Sequence, residues 1–209
     1  STISDEDGDF EDWIEIYNPS ETTLDLDGWY LTDNAGNPTK WRFPATQVPR
    51  GGFLVVFASG NNRRVPGARL HTNFQLAAGG EYLALVRPDG ITVASQWAPT
   101  YPQQIPDVSF GDAQITVGDT WETSARDVYF TRPTPGAPNL GGNAIPGPRI
   151  EEVQHAPNVP LDSEDLVVTA RVEPSFHPVA AITLRYRIMY GAETTLPMRD
   201  DGTQGDGAA

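Results

Sequence analysis

Short runs of aromatic and β-branched residues recur along this chain, each closed within a few positions by Gly, Pro, Asn or Asp, and no helical period is sustained between them. The runs are WIEIYN (13–18), GWYLTD (28–33), FLVVFAS (53–59), YLALVRP (82–88), ITVASQW (91–97) and DVYFTRP (127–133). Such segments suit a pleated, half-buried surface. The 20 glycines and 19 prolines supply turns at the required density, so the pattern predicts an all-β sandwich or barrel.

The details of the runs refine this. Pro88-Asp89-Gly90 joins two of them, and Asp-Gly at that spacing predicts that YLALV and ITVAS pair as an antiparallel hairpin. FLVVFA is apolar at nearly every position, which predicts a central strand covered on both faces. WIEIYN keeps one charge, Glu15, which must be edge-exposed or recruited to a site. Trp13 and Trp29, at strand positions, are expected in the sandwich core, with Trp97, Tyr101 and Trp121 flanking Pro-rich loops.

Residues 131–149 are rich in proline and glycine and nearly devoid of apolar side chains. They read as a domain end followed by a semi-rigid linker, with a first domain over 1–139 and the linker over 140–148. Beyond it IEEVQ (150–154), DLVVTARVEP (165–174) and AITLRYRIMYG (181–191) predict three strands of a second β domain over 149–209. Three strands cannot close a sandwich, so that domain is expected to be partial.

Charge removes several function classes. With 28 acidic against 14 basic residues the net charge is −14, and the one basic pair is Arg63-Arg64, so nucleic acid is not an expected partner. The chain has no cysteine, hence neither disulfides nor zinc-thiolate sites. No run approaches the ~18–20 apolar residues of a membrane span, and the opening STISDEDGDF lacks the features of a leader, so any signal peptide is expected to lie outside this stretch.

The sharpest candidate for chemistry is Asp5-Glu6-Asp7-Gly8-Asp9-Phe10-Glu11-Asp12, with Glu15 just beyond. Alternate carboxylates around a glycine can converge on calcium, which takes six to eight oxygen ligands. Asp5, Asp7, Asp9, Asp12 and Glu15 are the predicted ligands. The position that would carry the bidentate glutamate of a helix-loop-helix site holds Ile16, so Asp12 or Glu15 would have to close the shell. A solvated acidic loop is the competing reading. A second acidic turn, Asp200-Asp201-Gly202 with Asp206, is a weaker candidate of the same kind.

Catalytic constellations are not evident. His71, His155 and His177 are far apart, no G-x-S-x-G nucleophile turn occurs, and His71 is expected to bridge a loop through hydrogen bonds. Paired carboxylates for glycoside cleavage need a cleft that small sandwiches seldom provide. The glycine pairs in RGGF and AAGGE precede predicted strands rather than helices and so cannot cradle a phosphate.

The stretches DEDGDFEDWIEIYNPSETTLDLDGWYLTDNAGNPTKWRFP (5–44), GGFLVVFASG (51–60), LHTNFQLAAGGEYLALVRPDG (70–90), YPQQIPDVSFG (101–111) and YFTRPTPGAPN (129–139) together resemble the lamin tail domain family in its bacterial branch. The resemblance implies an immunoglobulin-like sandwich over 1–139. It also implies an opening strand with an Asn-Glu pair ahead of Ser1, so truncation at both ends and an unpaired sheet edge are expected. TLRYRIMYG and LPMRDDG are similar to the start of a fibronectin-like or immunoglobulin-like repeat. The expected function is a non-enzymatic structural or adhesive interaction module of a larger secreted or cell-surface protein, monomeric, with calcium as a structural ion. Its partners would be other domains of the parent protein, or an extracellular protein or glycan. The alternative is a carbohydrate-binding accessory module of an extracellular enzyme.

Overall fold

A computed structural model of the chain describes residues 3–161 and 163–200. The chain divides into two compact units, Ser1–Ala144 and Ile145–Ala209, and every regular element among the described residues is a strand. The first unit holds β1 (Trp13–Tyr17), β2 (Leu24–Asp25), β3 (Tyr30–Thr32), β4 (Trp41–Arg42), β5 (Gln47–Val48), β6 (Phe53–Phe57), β7 (Leu70–His71), β8 (Leu83–Val86), β9 (Val93–Trp97), β10 (Ser109–Val117) and β11 (Thr120–Phe130).

Two sheets share one core. In the first, β6 lies between β1, to which it is antiparallel, and β7, to which it is parallel; the second has the order β4-β3-β8-β9. Ile14, Ile16, Val56 and Leu70 from the first sheet meet Leu31, Trp41 and Leu83 from the second, with Leu26, Phe43 and Val48 among them. Each such side chain contributes about 1.5–3 kcal/mol by leaving water, which is what holds two small sheets face to face. The hairpin predicted at 88–90 is present, with Leu83 opposite Trp97. Asp89 fixes its turn by accepting the amides of Ile91 and Thr92 at 2.9 and 2.8 Å.

Alternation along β1 decides where its side chains go. Ile14 and Ile16 are buried, so Trp13, Glu15 and Tyr17 lie half-buried on the opposite face. The tryptophan at the centre of the core is therefore Trp41, 1% exposed and edge-on to Phe43, rather than Trp13. Trp29 packs partly against the core, with the Arg87 guanidinium 5.6 Å above its ring.

The long hairpin of β10 and β11 is not foreseen at its full extent, since only DVYFTRP reads as a strand in the sequence. Its distal half is polar and exposed, so hydrophobic pattern gives no signal there. Leu140 and Asn143 bridge to Gln114 and Tyr129, which carries the first unit through to Ala144.

The second unit contains β12 (Arg149–Ala156), β13 (Val167–Glu173), β14 (Thr183–Arg187) and β15 (Glu193–Pro197), paired as two antiparallel hairpins, β12 with β13 and β14 with β15. β15 is one strand more than the sequence pattern predicts; all five of its residues are exposed, so it carries no buried face to read.

Candidate metal centre

The acidic segment folds around its own first carboxylate. Asp5 Oδ1 accepts the backbone amides of Asp7 and Asp9 at 2.9 and 3.0 Å, while the Asp5 amide donates to the Asp9 carbonyl at 2.9 Å. Gly8 permits the reversal with φ at +90°. The result is a tight loop whose central side chain, Asp5, is only 5% exposed although its neighbours are in solvent. Asp5 Oδ2 is buried and has no hydrogen-bond partner among the described residues.

Side chains from the 60–71 segment fasten this loop to the sandwich. Arg63 donates to Glu6 Oε1 at 2.6 Å and also to Asp7 Oδ2, and Arg69 donates to the Ser4 carbonyl at 2.6 Å. The Arg63 guanidinium, then the backbone amide of Glu6 and then His71, hold the Glu6 carboxyl down at about 2. Asp7 and Glu6 in turn push the Arg63 guanidinium up.

His71 is where the loop meets the interior. β7 sends Leu70 into the core and leaves His71 on the other side, 0% exposed beneath the loop, its ring stacked on Phe57 at 5.2 Å. Nε2 lies 3.0 Å from Glu6 Oε2 and Nδ1 lies 2.8 Å from Ser59 Oγ. Glu6 as a carboxylate only accepts, so the network assigns the ring proton to Nε2, with the Ser59 hydroxyl donating to Nδ1. Ser59 Oγ is meanwhile free to accept the Asn61 amide at 3.2 Å. The loop-bridging histidine expected from sequence is the one found.

Two sets of ligating atoms follow, each lying within 4.8 Å of one another: Asp5, Asp7 and Asp9, and Asp5, Glu6 and His71. Three of the five predicted ligands thus come together. The other two belong to neither set. Asp12 is exposed, and its backbone carbonyl accepts the Ala58 amide at 2.7 Å. Glu15, turned away by the β1 alternation, accepts the Gly136 amide at 2.5 Å instead. Its partial burial pushes the carboxyl up to about 7 despite that bond. Glu6 and His71 are the ligating residues that sequence reasoning misses, since nothing local signals an approach across 65 positions. Asp201 and Asp206 lie outside the described residues.

Ser59, His71 and Glu6 form a hydroxyl–imidazole–carboxylate row of the kind hydrolases use, but it is sealed: Ser59 is 7% and His71 0% exposed. Among the aromatics, Trp41 and Tyr101 are interior. Tyr17 stacks on Phe53 at 4.8 Å, donates its hydroxyl to the Trp121 carbonyl at 2.9 Å, and with Trp121, Glu21, Thr120 and Glu122 borders a shallow cleft.

Two sheets closed over one apolar core define an immunoglobulin-type sandwich. Residues 2–98, which span β1 to β9, match the family model described as Lamin Tail Domain. No curated protein and no solved structure matches the chain.

Proposed function

We propose that this chain is a non-catalytic interaction module of a larger extracellular or cell-surface protein, its acidic loop stabilised by calcium through Asp5, Asp7 and Asp9. One observation carries the non-catalytic reading: the most enzyme-like group in the molecule, Ser59 with His71 and Glu6, is buried and serves to fasten a loop. A nucleophile must reach its substrate, and a serine at 7% exposure beneath a stacked imidazole does not. Recognition then falls to exposed loops. Calcium accords with the oxygen-rich loop.

A fluorophosphonate probe tests the main reading. No labelling of Ser59 is expected, together with a lower melting temperature for Ser59→Ala; labelling at Ser59, or ester turnover lost in Ser59→Ala, would overturn it. For calcium, the melting temperature should rise on adding millimolar calcium to the chelated chain, and Asp9→Asn should abolish the rise.

The cleft at Tyr17 and Trp121 favours one second reading, a glycan-binding accessory module. Its aromatic faces and flanking carboxylates are the groups that stack on and hydrogen-bond to sugars. Retardation in gels containing soluble polysaccharide, relieved by Trp121→Ala, would support it; equal mobility with and without polysaccharide would dismiss it.

A further inference from the structure

We infer that Asp5, Glu6 and His71 form a binding site for a first-row transition-metal dication of the zinc class, ligated by Asp5 Oδ2, Glu6 Oε2 and His71 Nε2. The site does not depend on the calcium reading. It shares Asp5 with the calcium set, so the two ions compete for one carboxylate.

Four observations converge on it. The ligating atoms of the three residues lie within 4.8 Å of one another, and bonds of about 2.0–2.2 Å to one ion would require the carboxylates to close in by about an ångström. Asp5 is 5% exposed with Oδ2 lacking a partner among the described residues. A buried, unpaired carboxylate oxygen is costly, and a cation bonded to it removes that cost. The inclusion of an imidazole nitrogen separates the set from the all-oxygen shells that calcium and magnesium prefer.

The fourth observation is the support behind each ligand. Asp5 is oriented by the amides of Asp7 and Asp9 on Oδ1, which leaves Oδ2 open. Glu6 is oriented by Arg63 on Oε1, which leaves Oε2 toward the histidine. His71 is oriented by Ser59 on Nδ1, which leaves Nε2. Metal ligands are characteristically held this way, one atom tied by an outer partner and the other presented to the ion. Ser59 suits both states of the ring. Without the ion its hydroxyl donates to Nδ1; with the ion on Nε2, the ring proton moves to Nδ1 and Ser59 Oγ accepts it. A fourth position remains for water.

The test is to strip the full chain with EDTA, remove the chelator, and follow thermal melting and cobalt(II) absorption on titration with zinc, cobalt or calcium. Zinc at micromolar concentration should raise the melting temperature, and cobalt should give visible bands of a low-symmetry site. Glu6→Gln, at an exposed position, and His71→Gln should each abolish the zinc response, and the former serves where the latter fails to fold. Ser59→Ala should weaken zinc binding by about tenfold to a hundredfold. Asp9→Asn should remove a calcium response while leaving zinc intact, so failure of one reading is distinguishable from failure of the other. No zinc response in the parent chain, or a response unchanged in Glu6→Gln, would overturn the assignment.

Discussion

Glu6 Oε2 lies 3.0 Å from Nε2 of His71, a residue 65 positions later in the chain, and this contact ties an exposed acidic loop to a fully buried ring. The loop is thereby part of the sandwich rather than a solvated tail. Arg63 completes the attachment by gripping Glu6 and Asp7 together. Arg63→Met keeps the aliphatic stem and removes the fork of donors. Hydrogen exchange at the amides of Asp7 and Asp9 is expected to quicken by about tenfold or more, because both are protected by Asp5 only while the loop is held. Unchanged exchange would mean that Arg63 is a bystander.

Glu15 makes stability depend on pH. Its carboxyl is pushed up to about 7 by burial, against about 4.3 in an unfolded chain. Between those values the folded state holds a proton that the unfolded state has released, so this residue's contribution is full below about 4.3 and is lost as pH rises through about 7. Glu15→Gln removes the titration and retains an oxygen for the Gly136 amide. The variant should melt higher than the parent at pH 8, with the gap narrowing or vanishing at pH 4.5. A gap independent of pH would contradict the assignment.

Gly80 is required where it stands. Its φ is +92°, and a Cβ built there would lie 2.1 Å from the Tyr101 carbonyl oxygen. The backbone cannot yield easily, since Tyr101 donates its amide to Glu81 and its hydroxyl to the Ala77 carbonyl, both at 2.9 Å. Gly80→Ala is expected to destabilise the first unit by more than about 2 kcal/mol in denaturant unfolding, well above the change at an unconstrained turn.

Trp41 should dominate the core. It is 1% exposed and belongs to the core cluster to which both sheets contribute. Trp41→Ala is expected to cost about 3–5 kcal/mol, whereas Trp13→Ala, on the outer face of β1, should cost much less. Chemical denaturation of the two variants checks the order; equal losses would contradict the assigned facing of β1.

Much of the sandwich is legible in the sequence because burial imposes a period. Ile14 and Ile16 alternate with Glu15, and Asp89-Gly90 marks the hairpin of β8 and β9; FLVVF, expected to be covered on both faces, is the middle strand of its sheet but is fully buried only at Val56 and Phe57. The same alternation explains why Glu15 leaves the predicted ligand set, for a residue between two core isoleucines must point the other way. The distal part of β10 and β11 is invisible because exposed polar strands carry no hydrophobic pattern. The candidate centre is half legible. Asp5, Asp7 and Asp9 are a local motif, whereas Glu6, Arg63 and His71 meet only through tertiary folding.

Through Glu6 and Arg63 the acidic loop forms a structural latch closed on a buried histidine. A double-mutant cycle on Glu6→Gln and His71→Asn, read by denaturant unfolding of the metal-free chain, tests it most directly. Residues in one hydrogen-bonded row couple by about 0.5–3 kcal/mol, and a coupling near the upper half of that range is the expected result. Additive effects, with Glu6→Gln alone nearly silent, would contradict the account and return the loop to solvent.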